Sequence, residues 1–246
     1  INGQKIWTSF GHYADWGWLA VRTDPDVPKH KGLSTFAIKM DTPGITIRPL
    51  VNMAGTHEFN EIFFEDVRVP AANLVGEENR GWYNVAVGLD FERSSIGATS
   101  NSRRMVDDLV TYLRTEKPRI DNAVKHRLVD EAIGVALLRN MAYYIASRQE
   151  KTGIAPTREA QMAKLFGAEL QQRIAATALQ VFGMEGQAHQ PVSRAASYRY
   201  GLLRSVANTI EGGTSEVQRS VIATRGLGLT REQPGMKKGG TEVPPR

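Results

Sequence analysis

Two glutamates in this chain sit where acid–base chemistry could be done. Glu211 lies in TIEGGTSEVQRS, residues 209–220, directly before Gly212 and Gly213. Glu92 lies in LDFER, residues 89–93, three residues after Leu89 and four before Ile96. Helical spacing puts Glu92 on the same face as those two apolar residues, where a carboxylate is costly unless it serves a site or is paired. Gly212, Gly213 and Thr214 read as a loop that opens a helix. Glycines there let a backbone approach closely, and the free N–H groups of a helix start favour an anion or a polarised oxygen. Thr214 has a second role open to it as the cap of that helix. Either glutamate could serve as a general base, and a salt bridge to arginine is the structural alternative for Glu92.

Other chemistries find little support. The five histidines, His12, His30, His57, His126 and His189, show no metal-ligand spacing, so no metal is expected. No Ser-His-Asp signature has local context for a hydrolase. The absence of cysteine rules out disulfides, thiolate-held zinc and thiol catalysis, and makes a reducing cytoplasm the simplest setting. No apolar run approaches the roughly 18 residues of a membrane span, so no membrane role is expected. The net charge of +5 is scattered and matches no nucleic-acid motif. It suits a solvated surface or attraction for an anionic ligand such as a nucleotide or coenzyme A.

The elements that must position these residues fall into two parts. Up to about Asn79 short apolar or alternating runs predict strands at 4–9, 16–22, 34–40, 45–49 and 61–64. Turn chemistry separates them: Asp24, Pro25 and Asp26; Lys31 and Gly32; Thr42, Pro43 and Gly44. From Gly81 the period becomes helical. One helix runs from Gly81 past Leu113 and breaks at Pro118, and others are expected at about 120–150, 157–182, 192–206 and 214–224. The expected domains are therefore 1–79 (β), 80–229 (helical) and a flexible Gly-, Pro- and Lys-rich tail at 230–246.

Five stretches together resemble the acyl-CoA dehydrogenase family: INGQKIWTS (1–9), FFEDVRVP (63–70), NLVGEENRGW (73–82), LQVFG (179–183) and GTSEVQR (213–219). They occur in the family's order and cover the chain to about Leu229. The resemblance implies an α+β fold: the end of a β-barrel-like middle domain followed by a four-helix bundle. It places Ile1 inside the β domain, so the chain is expected to be a C-terminal portion that is inactive alone. It further implies FAD-dependent α,β-dehydrogenation of an acyl-CoA thioester in a dimer or tetramer. Electrons would pass to an electron-transfer flavoprotein.

Site roles follow from the same resemblance. Trp7, Thr8 and Ser9 match the flavin-contacting strand, with an indole to cover a ring face and a hydroxyl to bond a ring nitrogen. Gln180 matches a residue reaching the FAD adenosine part of a neighbouring subunit. Gly213, Thr214 and Glu216 match positions beside the flavin. The Gly212 N–H is expected to face the thioester carbonyl, where it would stabilise enolate charge. Arg93 and Glu211 match positions near the substrate.

The base is chosen by register. In the commonest family pattern the catalytic Glu immediately precedes the Gly-Thr pair, and here that position is Gly212. A smaller set of members carries the base on the first bundle helix in a segment like LDFER. Glu92 together with Gly212 fits that set. One departure stands out. Many members have an Arg-x-x-Phe-Gly segment that grips FAD across a subunit boundary, whereas residues 114–121 read RTEKPRID. This leaves two other readings open: a non-catalytic subunit completing the flavin site of a hetero-oligomer, and an oxygen-using oxidase.

Overall fold

The computed structural model describes residues 1–92, 96–154, 156–188 and 193–230, with the side chains of 89–92 and 96–98 outside the description. The expected tail beyond Thr230 also lies outside it.

Six strands form two antiparallel three-stranded sheets. In the first, β5 (His57–Phe64) lies between β1 (Gly3–Ser9) and β4 (Ile45–Val51). In the second, β3 (Leu33–Lys39) lies between β2 (Trp16–Arg22) and β6 (Leu74–Val75). Neither sheet closes on itself among the described residues, so the barrel-like expectation is replaced by two open sheets. Leu19, Ile38, Ile62, Phe64 and Val67 form the core between them. Five strands stand where the alternation predicts them, and β5 begins four residues earlier than its apolar run suggests. β6 is two residues long, too short for periodicity to mark. Pro49 is tolerated because β4 is an edge strand. The turn into β4 needs Gly44: at φ 91° a Cβ there would lie 2.2 Å from the Glu65 carbonyl oxygen.

The helical part comprises α1 (Gly81–Glu92), α2 (Ile96–Glu116), α3 (Asn122–Thr152), α4 (Thr157–Phe182), the single turn α5 (Met184–Gln187), α6 (Arg194–Asn208) and α7 (Ser215–Val221). A π-type turn at Ile222–Gly226 follows α7. Local chemistry sets the ends. The Asp121 side chain caps α3 by accepting from the Ala123 N–H, and Gly153 stops it in the left-handed region at φ 67°. Ser193 caps α6 in the same way. α2, α3, α4 and α6 share one core containing Leu109, Leu138, Ile145, Leu170 and Ile174. α3 and α4 approach closely because each offers a glycine to the other. Gly134 lies under Leu170 and Phe166, and Gly167 lies under Leu138. No helix among the described residues is long and apolar enough to cross a membrane.

One charge is buried in this interface. Glu131 of α3 is 4% exposed. Its Oε1 accepts from the Thr177 hydroxyl at 2.6 Å, and its Oε2 has no partner among the described residues. Burial raises the pKa of this carboxyl, against the Thr177 bond and the charges of Arg173 and Arg127, while Asp130 adds to the rise. A carboxyl whose folded pKa is raised is fully stabilising below its unfolded pKa, and that contribution is lost as pH rises through the folded value. Glu131→Gln keeps the acceptor for Thr177 and removes the ionisation. The variant should therefore be at least as stable as the parent above the carboxylate range. Its advantage should shrink as pH falls toward about 4, the unfolded carboxylate value. Melting temperatures of the two proteins across that range check this.

Candidate active site

The strand that carries Trp7 and Ser9 is not regular. Between the pairs Lys5↔Ile62 and Thr8↔Asn60, three steps along β1 face two along β5, which is a bulge. Trp7 sits in it at φ 62°, and Phe10 follows at φ 54°. Left-handed backbone costs a non-glycine residue about 1–2 kcal/mol, and such strain tends to gather at functional sites. The bulge re-aims the strand. Trp7 ends 59% exposed, with only an edge-on contact to Phe59 at 5.8 Å between ring centroids.

Trp7 and Ser9 face the last turns of α6 across a cleft of about 550 Å³. Its walls are largely apolar: Val51, Met53 and Phe59 from the sheet, Leu203, Val206, Ala207 and Ile210 from the helical side. Among the described residues that line it, one is a cation. Arg204 of α6 grips Glu58 of β5 with two bonds, Nε to Oε2 at 2.7 Å and Nη2 to Oε1 at 2.8 Å. The same guanidinium reaches Glu211 Oε2 at 3.2 Å and Asn208 Oδ1 at 3.0 Å, and it lies over the Phe59 ring at 5.4 Å. The bond from Glu58 raises the pKa of Arg204 above the ordinary guanidinium value, against partial burial and with help from Glu211. Glu211 is thereby held as one arm of an ion-pair clasp between the sheet and the helices.

The loop after Glu211 has the form expected of it. Gly212 and Gly213 both have positive φ, 63° and 100°. Their carbonyls point inward. The Gln218 amide donates to Gly212 O at 2.9 Å and Gly213 O at 3.2 Å, and Lys164 Nζ donates to Gly213 O at 2.6 Å. The N–H groups of Gly212 and Gly213 have no acceptor among the described residues. Thr214 caps α7, accepting from the Val217 N–H at 3.2 Å. Glu216 lies exposed on the first turn of α7. Its own backbone N–H and the Thr214 hydroxyl hold its carboxyl below the usual range.

Not every candidate converges here. Trp7, Ser9 and Glu211 line one cleft, with Gly212, Gly213 and Thr214 continuing from Glu211. Thr8 does not line this cleft; its methyl group lies beside Gly11, next to the Ile62 side chain. Gln180 lies in a separate groove between α3 and α4, where its amide oxygen accepts from Arg127. Glu92 is the last residue of α1; its side chain, and all of Arg93, lie outside the described residues. Among the described residues no group of three or more His, Asp or Glu could hold a metal ion.

Residues 79–227 match the family model of the acyl-CoA dehydrogenase C-terminal domain, and residues 1–67 match that of the acyl-CoA dehydrogenase middle domain. The chain belongs to the acyl-CoA dehydrogenase family. Acyl-CoA dehydrogenase IpdE1 of Mycobacterium tuberculosis is 35% identical to it over 96% of this chain and 60% of its own length. IpdE1 of Mycolicibacterium smegmatis is 36% identical over 96% and 59%. The chain thus spans about 60% of the length of these relatives. The fold is similar to the Tcur3481-Tcur3483 steroid ACAD, with a TM-score of 0.85 and 29% identity over 94% of this chain and 61% of that one. The ChsE4-ChsE5 complex from Mycobacterium tuberculosis gives 0.79 and 31% over 94% and 62%.

Several residues of this candidate site are invisible to motif reading. Glu58 and Arg204 are 146 positions apart, so no local spacing joins them. Lys164 and Gln218, which hold the glycine loop, look like ordinary helical polar residues until α4 and α7 meet. Arg204→Ala should cost about 1–3 kcal/mol, the price of stranding a half-buried Glu58 after discounting for solvent. Arg204→Lys should recover little of this, because an ammonium cannot make the paired bonds of a guanidinium. Urea unfolding of the three proteins measures both.

Proposed function

We propose that this chain carries the flavin- and thioester-facing half of an enzyme that dehydrogenates an acyl-CoA thioester between its α and β carbons. The observation that carries the reading is the cleft between the strained Trp7–Ser9 stretch and the last turns of α6 with the Ile210–Glu211 turn that follows, in a chain of this family. The cleft fits a flat aromatic cofactor. Its walls are largely apolar, an indole stands at one side, Ser9, Asn52, Arg204 and Glu211 supply polar groups, and the Gly212–Gly213 loop follows directly on Glu211. The buried Ser215 Oγ and Gln218 Oε1 beside the glycine loop lack partners among the described residues, which marks the polar surroundings of the loop as incomplete in the chain alone.

In this reading FAD, when bound, supplies the acceptor for the β hydride. Trp7 would cover a ring face, Ser9 would hold a ring nitrogen by its hydroxyl, and Gly213, Thr214 and Glu216 would border the group. Thr8 contributes backbone. Gln180 would meet the adenosine part belonging to a neighbouring subunit, which makes the site a property of an oligomer. The substrate's α proton is weakly acidic. Its removal needs a base and a donor to the thioester oxygen acting together. Gly212 is the donor through its N–H, Glu92 is the base, and Arg93 lies toward the substrate end. Glu211 is a poor choice of base because Arg204 engages its carboxylate. Electrons would leave to an electron-transfer flavoprotein.

A second reading rests on RTEKPRID at 114–121, which lacks the usual cofactor-gripping segment, and on the likeness to Tcur3481-Tcur3483 and to the ChsE4-ChsE5 complex, both named as pairs. In it the functional unit is a hetero-oligomer whose flavin sites are not equivalent. Co-purification with a second, different chain that is needed to retain flavin would favour it over a homo-oligomer.

The residue assignments make an ordered prediction for the intact, flavin-loaded protein. Glu92→Gln should slow acyl-CoA bleaching of the flavin spectrum by roughly 10²–10⁴-fold, the usual contribution of a positioned base. Glu211→Gln should have a much smaller effect. A Cβ at Gly212 would meet only Lys164 Cε, at 3.7 Å, so a glutamate fits there apart from the cost of its positive φ. Glu92→Gly combined with Gly212→Glu should therefore recover part of the rate. Stopped-flow bleaching ranks the variants, and a dead Glu211→Gln beside an active Glu92→Gln would overturn the assignment.

A further inference from the structure

The bulge that aims Trp7 has a cost, and something must hold it. Asn60 lies opposite Thr8 on β5 and is fully buried. Its Nδ2 donates to the Thr8 carbonyl at 3.1 Å and meets His12 Nδ1 at 3.0 Å, while its Oδ1 meets His57 Nε2 at 2.8 Å. A carbonyl only accepts, so the Thr8 bond fixes which end of the amide is nitrogen. The rest follows: His12 Nδ1 is the acceptor, and His57 Nε2 is the donor. The two imidazoles stack at 3.9 Å with 18° between their planes, and His12 also lies against Tyr13 at 4.0 Å. Every donor and acceptor of the amide is directed by this arrangement. Gly11 packs close to this group: a Cβ there would lie 3.3 Å from both Thr8 Cγ2 and Ile62 Cδ1.

We propose that Asn60, clamped by His12 and His57, is the positioning residue that sets the β1 bulge and so presents Trp7 and Ser9 to the cleft. It acts through the Thr8 carbonyl and touches no reacting atom. A bulge leaves its extra residue outside the ladder. The Asn60 side chain supplies a hydrogen bond at Thr8, the paired residue that follows the bulge, and ties the strained strand to the buried centre of the sheet. The two histidines keep the amide from turning over, which would exchange the donor at Thr8 for an oxygen. The role as a cofactor-site support rests on reading the cleft as the flavin site.

The test uses the intact protein with three substitutions and two readouts. Asn60→Asp keeps the shape and the contact with His57 but cannot donate to Thr8 when ionised. Asn60→Leu removes every polar contact. His57→Gln retains an N–H donor toward Asn60. The readouts are flavin affinity and the emission of Trp7 in the flavin-free protein, isolated by subtracting Trp7→Phe. Asn60→Asp and Asn60→Leu should each weaken flavin binding by about tenfold, the weight of one hydrogen bond, and should shift the Trp7 emission. His57→Gln should leave both near the parent values. An Asn60→Asp protein that matches the parent in both readouts overturns the proposal, as does a loss of flavin with unchanged Trp7 emission. Should the aspartate variant not fold, His12→Phe keeps the ring stack and denies Asn60 its second acceptor. It should move both readouts in the same direction, and no change overturns the proposal. If the parent protein binds no flavin, the cofactor reading fails, and the Trp7 emission still decides whether Asn60 sets the bulge.

Discussion

One guanidinium bridges the first sheet and the end of α6 beside the cleft. Arg204 projects from α6 and binds Glu58 of β5 with both carboxylate oxygens, then reaches on to Glu211 at the start of the glycine loop. Paired, planar bonds of this kind fix orientation as well as distance. They set the last turns of α6 against the first sheet at a separation that leaves a cleft between Trp7 and Ile210. Partial burial gives the ion pairs more weight than surface pairs have, and the Phe59 ring beneath the guanidinium adds a further contact. The same clasp occupies Glu211, the more conspicuous of the two glutamates in the sequence.

Around that clasp the strain and its supports are arranged in order. Trp7 and Phe10 are held at positive φ on the sheet side, and Gly212 and Gly213 on the helix side. Glycine adopts such angles freely, whereas Trp7 does so against a penalty that its neighbours must offset. The supports differ accordingly. The glycine loop needs its carbonyls tied down, which Gln218 and Lys164 do from the buried side, leaving its N–H groups outward. The tryptophan bulge is answered by a fully buried asparagine with two histidines behind it. Rigid placement of both walls from opposite sides lets a shallow cleft present defined groups to a ligand.

Much of the local structure could be read from the chain because it is decided locally. Alternation marked β2 to the residue, and Thr214 read as the cap of α7; the Asp121 and Ser193 caps and the Gly153 stop, seen in the structure, likewise act within a turn. The reading was poorer where length or context decides. β6 carries too few residues for a period, and the mixed run His57–Asn60 that begins β5 lacks the apolar alternation that marks a strand. The barrel-like expectation came from resemblance, and the described strands form two open sheets instead.

The sequence by itself determined the family, through five ordered motifs, and named Trp7, Ser9, Glu211 and the Gly212–Thr214 loop as members of one site. Residue type and short spacing show the glycine loop and the Thr214 cap, because turn chemistry and caps depend only on near neighbours, whereas the grouping into one site came from the family resemblance. Tertiary structure alone decided how those residues are held and which of them meet. It paired Glu211 with Arg204, left Thr8 out of the cleft, and set Gln180 in a groove of its own beside Arg127. It also supplied Glu58 and Asn60, whose partners lie dozens to more than a hundred residues away. The physical reason is that an ion pair or a buried hydrogen bond depends on distance in space, and distance in space between remote segments is fixed only when the sheets and helices have packed.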